Sequence, residues 1–254
     1  MTAIAAPVRR TMHVEHCMGT VFTIDVRDHG DWSEPIAQAI AFLHHIDGVL
    51  STFRADSDIS RINRGELTVD RADPLVAEVL DRSVEMQRAT DGWFSPLWDG
   101  RLDPTGLVKG WAVEQVCHML RLQGSSNHAV NGGGDVQLAG EAGAGQPWRV
   151  GIADPFQPGH TIATIAGRDF AVATSGTAER GRHIRNPFTG TVADSLTAVT
   201  VVGRSLTAAD CYATAAVAMG GAAAEWLERL PGHEALIVAN DRTLAETTNF
   251  ARLW

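Results

Sequence analysis

Three cysteines in 254 residues, Cys17, Cys117 and Cys211, are too few and too far apart for a disulfide framework or a paired-cysteine zinc site. They read as reduced, partly buried thiols. No stretch approaches the ~18 consecutive apolar residues of a membrane span. Met1 to Arg10 holds Arg9 and Arg10 but no apolar run behind them, and Cys17 follows no lipoprotein-like leader. The expectation is a cytoplasmic protein. Positive charge is also in short supply. Net charge is −9 with no basic stripe, which argues against a nucleic-acid binder. There is no G-x-S-x-G elbow for a hydrolase nucleophile and no G-x-G-x-x-G dinucleotide fingerprint. Internal repeats and low-complexity linkers are absent.

What is present is enough apolar material for a core. Hydrophobic residues make up 44% and charged residues 20%, an ordinary globular balance, and the length fits one large domain or two closely joined ones. Residues 21–26 alternate as a strand does. Ile36, Ile40, Leu43 and Ile46 recur at helical spacing over residues 33–50, with Ser33 as the expected N-cap. Leu75, Val79, Leu80 and Val84 mark a second helix ending near Asp91-Gly92. Leu107, Val108, Trp111 and Val116 mark a third, over residues 107–122. The polar segment 51–63 between the first two reads as a structured loop. Strands are expected at 135–139, 148–153, 161–165, 170–174, 195–202 and 235–239. Helices are expected near 208–219 and 222–230. The order is α+β, without the strict strand–helix alternation of a doubly wound sheet.

Three stretches carry possible chemistry. In Asp103-Pro104-Thr105-Gly106-Leu107-Val108-Lys109-Gly110, Asp103 caps a helix with Pro104 in its first turn. The same N-terminus offers free N–H groups to an anion, with Lys109 adding a point charge. In Thr207-Ala-Ala-Asp210-Cys-Tyr-Ala-Thr214, Thr207 and Asp210 have capping-box spacing. Asp210 and Thr214, at i and i+4, also share one helix face. A carboxylate with a hydroxyl suits a hard ion such as Mg²⁺, whose remaining ligands are water and substrate phosphate. The turn-rich stretch from Thr174 to Gly190 contains Ser175 and His183, and the imidazole is a candidate general base. Asn131-Gly132-Gly133-Gly134-Asp135 reads as a hairpin or tight loop.

Together these stretches resemble the FAD:protein FMN transferase (ApbE) family. Further shared pieces are Met18-Gly-Thr20, Ser51-Thr-Phe-Arg54, Ser57 to Asn63, Thr174-Ser-Gly176 and His183 to Gly190, all in the family's order. The resemblance implies a single α+β, T-fold-related domain over residues 1–254, with mixed sheets and packed helices. It implies Mg²⁺-dependent splitting of FAD, with FMN esterified to a Thr or Ser of an acceptor protein and AMP released. Metal ligands are implied at Gly106 (main-chain carbonyl), Asp210 and Thr214. Flavin-dinucleotide contacts are implied at Met18, Phe53, Trp93, Phe94, Ser95, Asp103 and Lys109, and the base at His183. The chain departs from the family at Ser95, where an Asp often follows the Phe, and in the short segment before Asp103. An FAD pyrophosphatase, or a non-catalytic FAD-binding protein, would use the same residues.

Overall fold

The computed structural model describes residues 10–177 and 184–253. In chain order its elements begin with β1 (Thr11–Cys17), β2 (Thr20–Val26), α1 (Ser33–Leu50), α2 (Asp58–Asn63), α3 (Pro74–Ala89), β3 (Leu97–Trp98), β4 (Arg101–Leu102), α4 (Thr105–Leu122) and β5 (His128–Gly132). They continue with β6 (Asp135–Ala139), β7 (Trp148–Ala153), β8 (Thr161–Gly167), β9 (Ala171–Gly176), β10 (Leu196–Gly203), α5 (Leu206–Met219), α6 (Ala223–Glu228), β11 (Glu234–Ala239) and β12 (Leu244–Glu246). Eight strands form one sheet in the order β1-β2-β5-β6-β9-β10-β11-β12. All seven of its pairings are antiparallel.

Side chains alternate across a strand, so each strand supplies both faces of the sheet. Phe22, Ile24, Val130, Ala173, Val199, Val201 and Ile237 point to the face covered by α1, α3, α4, α5 and α6. Val136, Leu138, Val172, Val202 and Leu236 point the other way, where Trp148, Ile152 and Ile165 of the β7–β8 hairpin and Phe250 cover them. Burial on both faces explains why β10 is buried at every position and shows no polar–apolar alternation. No described helix is long and apolar enough to cross a membrane.

Four sequence expectations need correction. Ser33 is the first helical residue of α1 rather than its cap; Trp32 takes the cap position and Asp31 Oδ1 accepts the Ser33 N–H at 2.9 Å. The segment 51–63 is not all loop, because Ser57 caps α2 by accepting the Ser60 N–H at 3.1 Å. Helix α4 begins at Thr105 with Pro104 at the cap position, although Asp103 Oδ1 still accepts the Thr105 N–H at 3.2 Å. Thr207 and Asp210 form no capping box. Ser205 caps α5, and Thr207 donates its hydroxyl to Glu114 Oε2 of α4 at 2.6 Å. The same Glu114 oxygen accepts from Ser205 Oγ at 2.8 Å and from the Thr207 N–H at 2.9 Å. One carboxylate of α4 thus fixes the start of α5, the helix that carries Asp210 and Thr214.

His128, on β5, is fully buried, its Nδ1 2.8 Å from Ser125 Oγ. Burial pushes its imidazole down to about 4, helped by the Arg121 guanidinium and opposed by the Cys117 carbonyl. The unfolded chain takes up this proton near pH 6.5, whereas the native state takes it up only near pH 4. The stability contributed by keeping His128 neutral is therefore complete above pH 6.5 and is lost as pH falls to about 4, by on the order of 3 kcal/mol. Urea-unfolding midpoints across that range are expected to fall more steeply for the wild-type protein than for His128→Gln. Parallel curves would mean that His128 is not the titrating group.

Candidate active site

Two clefts open side by side at the N-terminal end of α4. The first, about 260 Å³, is lined by the first turns of α4, the β5–β6 turn, β7, β9 and α5. Gly133 and Gly134 of that turn have φ of +60° and +98°. These left-handed values are open to glycine, and they bring backbone rather than side chain to the wall. The Asn131–Asp135 stretch is thus a two-residue hairpin turn. The second cleft, about 230 Å³, is walled by Trp93, Phe94, Trp98, Ile184, Arg185 and Pro187. Trp93 stands edge-on to Phe188 with ring centroids 4.9 Å apart, and the Arg185 guanidinium lies 5.1 Å from the Trp98 ring. Thr105, Gly106 and Thr214 line both clefts and so mark their junction.

The charged groups gather beside that junction. Lys109, one turn into α4, pairs with Asp135 at the start of β6, and its Nζ lies 3.2 Å from Asp210 Oδ2 on α5. Asp135 Oδ1 accepts the Thr174 N–H of β9 at 2.8 Å. Asp135 and Asp210 are 2% and 4% exposed, so two carboxylates share one ammonium in a largely dry setting. Asp210 Oδ2 nevertheless accepts no hydrogen bond among the described residues; its contact with Lys109 is ionic only. Helices α4 and α5 approach closely here because Gly110 has no side chain. A Cβ at that position would sit 2.9 Å from Asp210 Oδ2 and 3.2 Å from the Leu206 carbonyl oxygen. One turn after Asp210, Thr214 Oγ1 lies 3.0 Å from Ser175 Oγ of β9.

The donor set suits a hard divalent cation. It comprises a buried carboxylate oxygen left without a hydrogen bond, a hydroxyl one turn along the same helix, and main chain at Gly106 across the junction. Among the described residues, no group of three or more His, Cys, Asp or Glu side chains offers an all-protein metal cage.

Of the residues singled out from sequence, Gly106, Lys109, Asp210 and Thr214 line the first cleft. Trp93, Phe94, Ser95 and Asp103 line the second. Phe94 is buried beneath the junction, 3.2 Å from where a Gly106 Cβ would stand. Met18 lies in the β1–β2 turn with φ +52° and packs on the helix-side core, outside both clefts. Phe53 is 93% exposed and also outside them. His183 lies outside the described residues. Sequence reasoning passed over Asp135, Ser175 as the partner of Thr214, and the wall residues Trp98 and Arg185. One signal was available: Lys109 is the only lysine in the chain.

Comparison with known proteins places the chain in a family. The model of the ApbE family matches residues 18–100 and 98–237. An FAD:protein FMN transferase of Vibrio cholerae is 34% identical over 129 residues, covering 47% of this chain and 39% of that protein. The aligned stretch thus spans well under half the length of that relative. An FAD:protein FMN transferase of Haemophilus influenzae is 23% identical over 277 residues, covering 80% of this chain and 79% of its own. The solved structure of the flavin transferase ApbE from Vibrio cholerae superposes with a TM-score of 0.83 at 22% identity, covering 98% of this chain and 100% of that one. At that identity the superposition speaks for the fold. With the family model spanning most of its length, this chain belongs to the ApbE family.

Proposed function

We propose that this chain is a Mg²⁺-dependent FAD:protein FMN transferase, working as one domain. It would split FAD and join FMN through a phosphoester to a Thr or Ser of an acceptor protein. The observation that carries this reading is the junction itself. Two clefts, one aromatic-walled and one glycine-lined, meet at Thr105, Gly106 and Thr214 with Lys109 and Asp210 alongside. A molecule with a ring system at each end and a diphosphate waist matches that plan. The relatives' names supply the same substrate.

In this reading the positive end of α4 faces the diphosphate and the Gly106 N–H is the first-turn donor open to it, since Thr105 donates to Asp103 and Leu107 to Pro104. Lys109 offsets charge that builds on the phosphoryl oxygens. Mg²⁺, held by Asp210, Thr214 and the Gly106 carbonyl, would supply charge neutralisation and a fixed orientation for the diphosphate. The acceptor hydroxyl forms the new P–O bond as the P–O bond to AMP breaks, and His183 takes the hydroxyl proton. Trp93 and Trp98 offer apolar faces to a ring, and Asp103 offers acceptor oxygens to a ligand hydroxyl or ring N–H. Asp103 already receives the Thr105 hydroxyl at 2.6 Å, so its orientation is set before any ligand binds.

Mass spectrometry after incubation with FAD, Mg²⁺ and a peptide bearing an Asp-x-x-Ser/Thr-Gly-Ala-Ser/Thr motif tests the reading. The expected result is a peptide mass gain equal to covalently attached FMN, with one AMP released per transfer and none without Mg²⁺. AMP and free FMN without a labelled peptide would make water the acceptor and the enzyme a pyrophosphatase. Intact FAD would leave only binding.

A further inference from the structure

Lys109 has a choice of two carboxylates, and the geometry around it is unequal. Asp135 is held by the β9 backbone: its Oδ1 takes the Thr174 N–H at 2.8 Å, which turns Oδ2 toward the lysine. Lys109 Nζ pairs with that oxygen. Toward Asp210 it stands at 3.2 Å without a hydrogen bond. One ammonium between two buried carboxylates leaves a net charge of −1. Asp135 is compensated further by the Thr174 N–H, whereas Asp210 Oδ2 accepts no hydrogen bond among the described residues, so the surplus falls on Asp210.

We infer that Asp135 is a positioning residue: it draws Lys109 off Asp210, so that Asp210 Oδ2 stays open to a divalent cation. The inference rests on the metal reading of Asp210 and Thr214 given above. Without Asp135, Lys109 has one anionic partner left. It would close on Asp210, neutralise it and compete with the cation for the same oxygen. A lysine suits the post because an ammonium is a compact point charge on a flexible stem, whereas a guanidinium would fork across both carboxylates. The chain uses arginine for every other Lys/Arg side chain and lysine only here.

The test is Mn²⁺ binding to the FAD-free protein, followed by the loss of the free-ion electron paramagnetic resonance signal. Asp135→Asn is expected to weaken Mn²⁺ about tenfold, and Lys109→Met to tighten it, because a competing charge a few ångströms away is removed. In the Lys109→Met background, adding Asp135→Asn is expected to weaken Mn²⁺ clearly less than the about tenfold loss in the wild-type background, because only the direct field of the lost charge remains. An equal loss in both backgrounds would make Asp135 a direct ligand or a bulk-field effect and overturn the inference. So would unchanged affinity in Asp135→Asn. Should Asp135→Asn fail to fold, Lys109→Met alone decides, and weaker or unchanged binding there overturns the inference. Mn²⁺ binding by wild type that is abolished in Asp210→Asn keeps the metal reading whatever Asp135 does. No Mn²⁺ binding by wild type would overturn both.

Discussion

Asp210→Asn is expected to cut Mg²⁺-dependent FAD turnover by roughly a thousandfold, the scale of losing one preorganised charge at a reacting phosphoryl group. The fold should stay close to wild-type stability. The substitution keeps the shape of the side chain, so the tight contact with Gly110 is preserved. It removes no hydrogen bond to Oδ2, because none is made among the described residues. Lys109 keeps its Asp135 partner, so no buried ammonium is stranded. Elsewhere in a core, neutralising a buried, ion-paired carboxylate would endanger the fold; here the loss is expected in chemistry alone. AMP release against Mg²⁺ concentration, beside a thermal melt, separates the two. Turnover within tenfold of wild type would remove Asp210 from the reaction. A large drop in melting temperature would make it structural. Thr214→Val should act in the same direction but more weakly, since a neutral hydroxyl contributes less than a carboxylate to holding a cation.

The elements that could be read from sequence are those whose signal is local. Helices α1, α3 and α4 follow from apolar residues at 3.6-residue spacing, and strands β6 and β7 from their flanking turn residues. The elements that escaped lack such a signal. Helix α2 is six polar-rich residues set by the Ser57 cap rather than by periodicity. Strand β1 lies at the sheet edge and turns Met12 and Val14 to solvent, so its apolar side chains mark the wrong face. Strand β5 contains a buried histidine and ends in glycine, neither of which reads as strand. The capping error at Thr207 has a long-range cause. Thr207 has correct capping-box spacing from Asp210, but Glu114, 93 residues earlier, takes its hydroxyl, and Asp210 faces the cleft instead.

The candidate site divides along the same line. That Asp210 and Thr214 share a face is helix geometry, and it was legible. That Lys109 would meet Asp135 depends on the β5–β6 hairpin packing against α4, which no spacing encodes. Met18 and Phe53 rested on resemblance rather than on pattern, and the structure places both outside the two clefts.

Gly110→Ala is expected to destabilise the protein by up to about 2 kcal/mol and to lower FAD turnover, although the same change in an open helix stabilises. Glycine in a helix interior is about 1 kcal/mol worse than alanine, so propensity favours the mutant. At Gly110 the added carbon would lie 2.9 Å from Asp210 Oδ2, 3.0 Å from Asp210 Cβ and 3.2 Å from the Leu206 carbonyl oxygen. The last two belong to the α5 backbone or are fixed to it, so α4 and α5 must part, at a cost of about 1–3 kcal/mol that outweighs the gain. The parting also moves Asp210 relative to Gly106 and Lys109, and a small misplacement at a phosphoryl centre lowers turnover steeply. Gly48 of α1 is the internal control, since a Cβ there meets nothing within 4 Å. Gly48→Ala should gain up to about 1 kcal/mol and leave turnover unchanged. Urea unfolding of both variants, with turnover measured where both are folded, gives opposite signs if close helix packing sets the site. Equal gains in stability would mean that the α4–α5 contact is slack and that something else holds Asp210. Gly110→Val, with two further carbons at the same point, should deepen both losses.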